Sequence, residues 1–98
     1  MASYMRIIRV QPPEGMADRI GQQWTAFWPE RLRQLPGFQH AHFGVDRATG
    51  AVTGVQVFNE RPDDGTFRQL SEEFRASLGE AAPPQAPQFT VYEILAEA

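Results

Sequence analysis

The order of its patterned segments constrains the fold of this chain more than any single residue does. Four segments alternate apolar and polar residues as strands do, and two repeat apolar residues every three or four positions as amphipathic helices do. In chain order, the predicted elements are a strand at Tyr4–Val10, a helix at Glu14–Leu35, strands at Phe38–Val45 and Val52–Asn59, a helix at Thr66–Leu78 and a strand at Phe89–Ala96. This β-α-β-β-α-β order predicts an α+β, ferredoxin-like βαββαβ domain with a four-stranded antiparallel sheet.

Proline and glycine delimit the first helix. Its apolar residues form one stripe, and the Pro36-Gly37 pair that follows is a strong stop signal. Pro29 lies inside the stripe, where proline removes one helical hydrogen bond and clashes with the preceding turn. We therefore expect a kink or a break near Thr25–Trp28.

Local signals also mark the hairpin and the second helix. Gly50 suits the positive-φ position of a hairpin turn, and the Asp46 carboxylate can accept a hydrogen bond from the backbone of that turn. Asp63 or Asp64 is expected to cap the N-terminus of the second helix, and Gly79 to follow its C-terminus. These boundaries are therefore predicted from local chemistry alone.

Alternation assigns the hairpin residues to two faces of the sheet. The more apolar set is predicted to pack against the helices and comprises Ala41, Phe43, Val45, Val55 and Val57. The mixed set is predicted to face away from the helices and comprises Phe38, His40, His42, Gln56 and Phe58, together with Val52. Because the helices cover only one face, the other face would expose an apolar patch unless a second copy covers it. The sequence therefore predicts a homodimer.

Composition limits the classes of function. The 98 residues suffice for one domain, predicted to span residues 1–98. A net charge of −3 argues against nucleic acid as a partner, and Arg6 and Arg9, two isolated phosphate-binding candidates, are expected at a strand face or edge. The absence of cysteine excludes disulfides, thiolate metal sites and cysteine nucleophiles. Without an apolar run of roughly 20 residues or a signal-peptide pattern, a cytoplasmic protein with no membrane partner is expected.

The same segments resemble a known family. A helix followed by Leu35-Pro36-Gly37-Phe38, a hairpin with a polar turn, a helix after a short acidic loop and a terminal strand ending in Val91–Ala96 are similar to the dimeric α+β barrel superfamily. Within that superfamily, the chain most resembles the antibiotic biosynthesis monooxygenase (ABM) domain over nearly its whole length. The resemblance implies a homodimer whose two sheets pack face to face into a barrel. It also implies a cofactor-independent monooxygenase that acts on a small aromatic or quinone-type molecule.

The chain departs from this family pattern at two places. Members often carry a Trp near the end of the third strand followed by Glu, whereas this chain has Val57-Phe58-Asn59-Glu60, which keeps the Glu without the Trp. Haem-degrading members pair an Asn on the first strand with a His on the second helix. The strand Tyr4–Val10 contains no Asn and the helix Thr66–Leu78 contains no His, so haem degradation is disfavoured.

Two histidines raise the question of a metal site. Alternation places His40 and His42 on one strand face about 7 Å apart, and the inferred register puts Glu60 on the same face of the neighbouring strand. Two imidazoles and a carboxylate can hold iron or zinc. The favoured interpretation is ordinary hydrogen bonding on a rim or dimer-facing surface, so no metal and no cofactor is predicted.

A ligand site is predicted between the sheet and the two helices, where aromatic side chains of the helices and hairpin converge. Its substrate-binding wall is predicted to comprise Trp24, Trp28, Phe43, Val55, Val57, Phe67 and Phe74. Asn59 is expected to orient the substrate, and Tyr92 or His42 to accept a proton, although alternation points His42 to the opposite face. The competing interpretation is that these side chains fill a compact core. The protein would then be a non-catalytic small-molecule-binding or dimeric interaction protein.

Overall fold

A computed structural model describes residues 2–98 and confirms the predicted α+β order. The elements are β1 (Ser3–Val10), α1 (Ala17–Arg33), β2 (Phe38–Val45), β3 (Val52–Phe58), α2 (Asp64–Leu78), a single 3-10 turn (Gly79–Ala81) and β4 (Gln88–Ile94). The four strands form one antiparallel sheet in the order β2-β3-β1-β4. Both helices pack on the same side of this sheet, which we call the helix face; the opposite side is the open face.

Helix α1 begins later than predicted and runs unbroken through Pro29. Gly15 has a φ of 77°, which is incompatible with a helix start at Glu14. The predicted break near Thr25–Trp28 is wrong. Trp28 and Leu32, which flank Pro29, are only 2% and 1% exposed, so packing against the sheet holds the helix together across the missing hydrogen bond.

The predicted turn and cap residues are confirmed. Gly50 has a φ of 78°, and the Asp46 carboxylate accepts a 2.9 Å hydrogen bond from the backbone N–H two residues later. Asp63 caps α2 by accepting a 2.8 Å hydrogen bond from the Thr66 N–H, and Gly79 follows the helix with a φ of 58°. Each of these contacts spans only a few residues, which is why sequence patterns reveal them.

The face assignment of β3 is wrong by one residue. In the β2–β3 register, Phe43 pairs with Gly54 and Ala41 with Gln56, so the helix face of β3 carries Gly54 and Gln56. It also carries Val52 and Phe58, both 0% exposed. Val55 and Val57, predicted to pack against the helices, lie on the open face opposite His42 and His40. Strand β3 has apolar residues on both faces. Alternation alone therefore could not show which face packs against the helices, because a shift of the strand pairing by one residue exchanges the two faces.

Phe38 reaches the helix face through a β-bulge. The register shifts between Phe38 and His40, which leaves Gln39 as the extra residue of β2. Phe38 therefore packs against the core with its ring centroid 5.7 Å from that of Phe58, and the prediction that it faces away from the helices is wrong. His40 and His42 do lie on the open face, as predicted.

The core consists of two groups of buried residues between the helices and the sheet. One comprises Trp28, Leu32, Phe58 and Phe67, and the other comprises Ile20, Leu78 and Ala81. The open face carries an apolar centre of Met5, Ile7, Val55 and Val57, bordered by His40, His42, Thr90 and Tyr92. Over residues 2–98, neither helix is long and apolar enough to cross a membrane.

Candidate functional site

A cavity of about 330 Å³ lies between the helix face, α1, α2 and the segment that leads to β4. We call it the helix-side cavity. Its apolar wall comprises Ile8, Val10, Ile20, Trp24, Trp28, Phe43, Gly54, Phe74, Leu78, Pro83, Ala86, Pro87 and Phe89. Its polar lining comprises Arg6, Arg68, Ser71, Glu72 and Arg75. The core is therefore not filled completely, and the space that remains is within the usual range of small-molecule sites, roughly 300–1,000 Å³.

Aromatic rings form one side of this cavity. The Trp24 ring stacks on Phe43 with their centroids 5.5 Å apart and their planes 19° from parallel. The Phe74 centroid lies 5.9 Å from that of Trp28. Because α1 places Trp24 one turn before Trp28, the two indoles reach the cavity from the same side of the helix.

Arg6 is a buried cation in the cavity wall. It is only 3% exposed, and its guanidinium carbon lies 4.2 Å from the ring centroid of Phe67 and 4.8 Å from that of Phe89. Among residues 2–98, no carboxylate forms an ion pair with it. Burial lowers the pKa of Arg6 to about 10, and the negative charge of Asp64 opposes that effect. Arg6 therefore remains protonated at neutral pH.

Gln56 is the hydrogen-bond partner of Arg6. Arg6 Nη1 donates a 3.2 Å hydrogen bond to Gln56 Oε1, across paired positions of β1 and β3. The Gln56 side chain is fully buried, and its Nε2 has no acceptor within the described part of the chain. A buried donor without an acceptor costs free energy, so residues 2–98 do not complete the hydrogen bonding of this pair.

The structure brings four of the predicted site residues together around the helix-side cavity: Trp24, Trp28, Phe43 and Phe74. Phe67 lies beside the cavity, where it stacks on Trp28 at 6.1 Å and lies against Arg6. Val55 and Val57 lie on the open face, so their predicted place in the cavity wall is wrong.

The three residues predicted to act on a substrate lie outside the helix-side cavity. Asn59 is exposed just beyond β3, where its backbone N–H donates a 2.8 Å hydrogen bond to the Gly37 carbonyl. Tyr92 is 46% exposed on the open face, and His42 is exposed on the same face. Their predicted positions at a ligand are therefore corrected: strand alternation turns Tyr92 and His42 away from the helices.

Sequence reasoning missed Arg6 as a cavity residue. The signal was present, because Arg6 alternates with Ile8 and Val10 and so shares their strand face. All three line the cavity. The prediction nevertheless placed Arg6 at a strand face or edge, because an unpaired arginine is rarely buried.

The histidine pair does not gain a third metal ligand. The ring centroids of His40 and His42 are 5.5 Å apart on the open face. Within residues 2–98, no group of three His, Cys, Asp or Glu side chains is placed to hold a metal ion. Strand β3 ends at Phe58, before Glu60, so the strand register no longer supports Glu60 as a ligand.

The chain is similar in structure to several proteins whose structures have been solved. No family model and no curated protein sequence matches the chain. A monooxygenase from the ActVA-Orf6 gene of Streptomyces coelicolor, solved with Nanaomycin D, is 14% identical with a TM-score of 0.73 over 99% of this chain and 91% of that one. A proposed antibiotic biosynthesis monooxygenase from Bordetella bronchiseptica is 16% identical with a TM-score of 0.79, covering 98% and 100%. Rv0793 from Mycobacterium tuberculosis is 17% identical with a TM-score of 0.70, covering 98% of both chains.

These similarities extend over almost the complete length of both chains at low sequence identity, so they establish a shared fold. They also agree with the element order and sheet topology described above. The chain therefore has the fold of the antibiotic biosynthesis monooxygenase domain, as its sequence resemblance predicted.

Proposed function

We propose that this protein is a cofactor-independent monooxygenase that oxidises a small aromatic or quinone-type molecule in the helix-side cavity. The observation that carries the proposal is the cavity itself, about 330 Å³ in volume and walled largely by aromatic and aliphatic side chains. Two structures with the same fold are named as monooxygenases, which supports the same chemistry here. Trp24 and Phe43, already stacked on each other, offer flat surfaces for an aromatic substrate.

The chemistry requires little from the protein. An electron-rich phenol, once deprotonated, can itself reduce oxygen. One oxygen atom enters the ring and the other leaves as water, so that a hydroxynaphthalene and O₂ give a naphthoquinone and H₂O. The protein must exclude bulk water and stabilise the substrate anion. Glu72 is the one carboxylate in the cavity lining and is our candidate proton acceptor.

Oxygen uptake tests this proposal directly. Protein purified without added metal or cofactor is mixed with hydroxynaphthalenes and hydroquinones, and oxygen consumption is followed together with quinone absorbance. We expect one O₂ per quinone formed from a hydroxynaphthalene, with no effect of a chelator. If no compound of the panel is consumed above the buffer rate, the monooxygenase proposal is contradicted.

A pair of glycine variants on β2 and β3 connects any activity to the cavity. Gly54 lines the cavity, and a Cβ there would make only ordinary contact with Phe43 at 3.5 Å. Gly54→Val should therefore fold but fill part of the substrate space, lowering kcat/KM by roughly tenfold or more. Gly44→Val adds the same side chain at an exposed position of β2 that does not line the cavity and where a Cβ would meet nothing within 4 Å, so it is the matched control and should leave kcat/KM unchanged.

One observation favours a second candidate function, a non-catalytic small-molecule-binding protein. The three residues first predicted to carry the chemistry, Asn59, Tyr92 and His42, do not line the cavity. This candidate predicts that hydroxynaphthalenes quench the fluorescence of Trp24 and Trp28 without any oxygen uptake.

We further propose that the protein is a homodimer in which the open faces of two chains pack against each other. The apolar centre of that face, formed by Met5, Ile7, Val55 and Val57, supports this arrangement. The family resemblance implies the same assembly. Val57 is already only 8% exposed, but Met5, Ile7 and Val55 are half-buried and Tyr92 is 46% exposed. A second copy over the open face would remove this remaining apolar surface from water, which is the main driving force for association.

A further inference from the structure

We infer that the helix-side cavity selects an anionic aromatic ligand, whose carboxylate or phenolate oxygen pairs with the guanidinium of Arg6. The inference rests on the proposed function, because it names the substrate class of the same cavity. Its evidence is separate, however, since it comes from Arg6, from the buried Gln56 that contacts it and from the charges of the cavity lining.

The first argument is a buried charge on which Asp64 acts only from a distance, without an ion pair. Arg6 is 3% exposed and lines the cavity, yet no carboxylate of residues 2–98 forms an ion pair with it. A guanidinium has five N–H donors, and within the described chain the one side-chain hydrogen bond it makes is to Gln56 Oε1, at 3.2 Å. The rings of Phe67 and Phe89 offset part of the cost of burial through cation–π contacts. Buried charges are normally paired, so the missing partner indicates an anion from outside the chain.

The second argument is the neighbouring amide. Gln56 is 0% exposed, and its Nε2 has no acceptor among the described residues, while its Oε1 is occupied by Arg6. The orientation of Gln56 is defined by that contact, because the reversed amide would place its NH₂ group against a guanidinium that can only donate. Gln56 thereby holds Arg6 at the cavity wall as a positioning residue.

The third argument is the sign of the lining charge. Three arginines, Arg6, Arg68 and Arg75, line the cavity, against one carboxylate, Glu72. The chain as a whole has a net charge of −3, so the cavity is locally positive on a negatively charged protein. A positive lining in a low-dielectric cleft attracts anions and repels cations.

The decisive experiment compares two ligands of one shape that cannot be oxidised like phenols. Binding of 2-naphthoate and of its neutral analogue 2-naphthamide is measured by calorimetry on the wild-type protein at neutral pH. A charge-assisted hydrogen bond in a buried site strengthens binding by roughly tenfold to a hundredfold, so we expect 2-naphthoate to bind tighter by that factor. Equal affinities, or tighter binding of the amide, would overturn the inference.

Two variants then locate the preference. Arg6→Met keeps an unbranched side chain without the charge, and we expect it to lose the preference for 2-naphthoate while its affinity for 2-naphthamide stays within about threefold. Arg33→Met removes the same charge from an exposed position of α1 that does not line the cavity and should keep the preference. A loss of the preference in Arg33→Met as well would assign it to overall charge and contradict the role of Arg6.

Thermal unfolding without ligand separates a binding role from a structural one. The double variant Arg6→Met/Gln56→Leu removes the unpaired buried charge together with the buried amide that would lose its donor, so if Arg6 is kept for an anion, the ligand-free double variant should melt at the same temperature as the wild type or higher. A structural Arg6 would instead lower the melting temperature of that variant. Should Arg6→Met fail to fold, the ligand pair on the wild-type protein still decides the inference.

The binding experiment tests the anion site independently of the proposed monooxygenase activity. Preference for 2-naphthoate without oxygen uptake from any phenol would contradict the monooxygenase proposal and leave the anion site standing. Oxygen uptake with no preference for 2-naphthoate would contradict the anion site and leave the proposed activity standing.

Discussion

Gly37 is a residue at which backbone conformation and packing both require the absence of a side chain. Its φ is 77°, and a Cβ there would lie 2.5 Å from Asn59 Oδ1 and 2.6 Å from Glu60 Cγ. The Gly37 carbonyl also accepts a 2.8 Å hydrogen bond from the Asn59 N–H. Glycine at this position therefore lets the end of β3 approach the turn between α1 and β2 closely, since a Cβ would also lie 3.0 Å from the backbone nitrogen of Glu60.

We expect Gly37→Ala to destabilise the protein by about 2–4 kcal/mol, combining positive-φ strain with overpacking. Gly50→Ala is the matched control, because Gly50 has a φ of 78° but its nearest neighbour would be a Gln11 side-chain atom at 3.6 Å. Gly50→Ala should therefore show only the strain, about 1–2 kcal/mol. Urea unfolding measures both values, and equal losses would show that the contact with Asn59 and Glu60 is unimportant.

At the scale of elements, helix α2 depends on an ionised cap. The Asp63 carboxylate accepts hydrogen bonds of 2.8 Å from both the N–H and the hydroxyl of Thr66, and these bonds hold the pKa of Asp63 below its usual value of 3.8. Because the folded pKa is lower than the unfolded one, Asp63 contributes stability above pH 3.8. That contribution disappears as the pH falls through the folded pKa.

Asp63→Asn tests this dependence, since asparagine caps helices about as well but does not titrate. Between pH 7 and pH 3, the free energy of unfolding should fall less steeply in Asp63→Asn than in the wild type, as measured by urea unfolding at each pH. Glu73→Gln, an exposed substitution on the same helix outside the cap, is the control and should not reproduce the Asp63→Asn profile. Parallel profiles for wild type and Asp63→Asn would contradict the ionised cap.

At the scale of the whole molecule, the proposed dimer follows from the open face. Light scattering at micromolar concentration should give twice the 11.0 kDa mass of one chain. Val55→Asp places a charge at the apolar centre of the open face and should shift the protein towards the monomer. Gln22→Asp adds the same charge at an exposed position of α1 and should leave the mass unchanged. A wild-type mass of 11.0 kDa would contradict the dimer.

Sequence patterns predict the order of the elements, the hairpin turn and the C-terminal end of α2, whereas α2 begins at Asp64, slightly before the predicted Thr66. Asp46, Gly50, Asp63 and Gly79 act within a few residues of their own positions, so local patterns reveal them. The fold class follows from that order. Connections between elements are short and crossover connections are right-handed, so few arrangements of two helices and four strands are possible. Four aromatic residues of the cavity wall were also predicted, because helical spacing and strand alternation both place them on the helix side.

Long-range packing selects which face of β3 is buried and which polar side chain lines the cavity. Two apolar pairs of β3 lie on opposite faces, Val52 with Phe58 and Val55 with Val57, and the first pair faces the helices. The bulge at Gln39 turns Phe38 to the same face as Phe58. Burial of Arg6 depends on Phe67 of α2, Phe89 of β4 and Gln56 of β3, which are distant in the chain. The buried face of β3 and the burial of Arg6 depend on contacts between elements that are far apart in the chain. A pattern within one segment of the sequence does not contain those contacts.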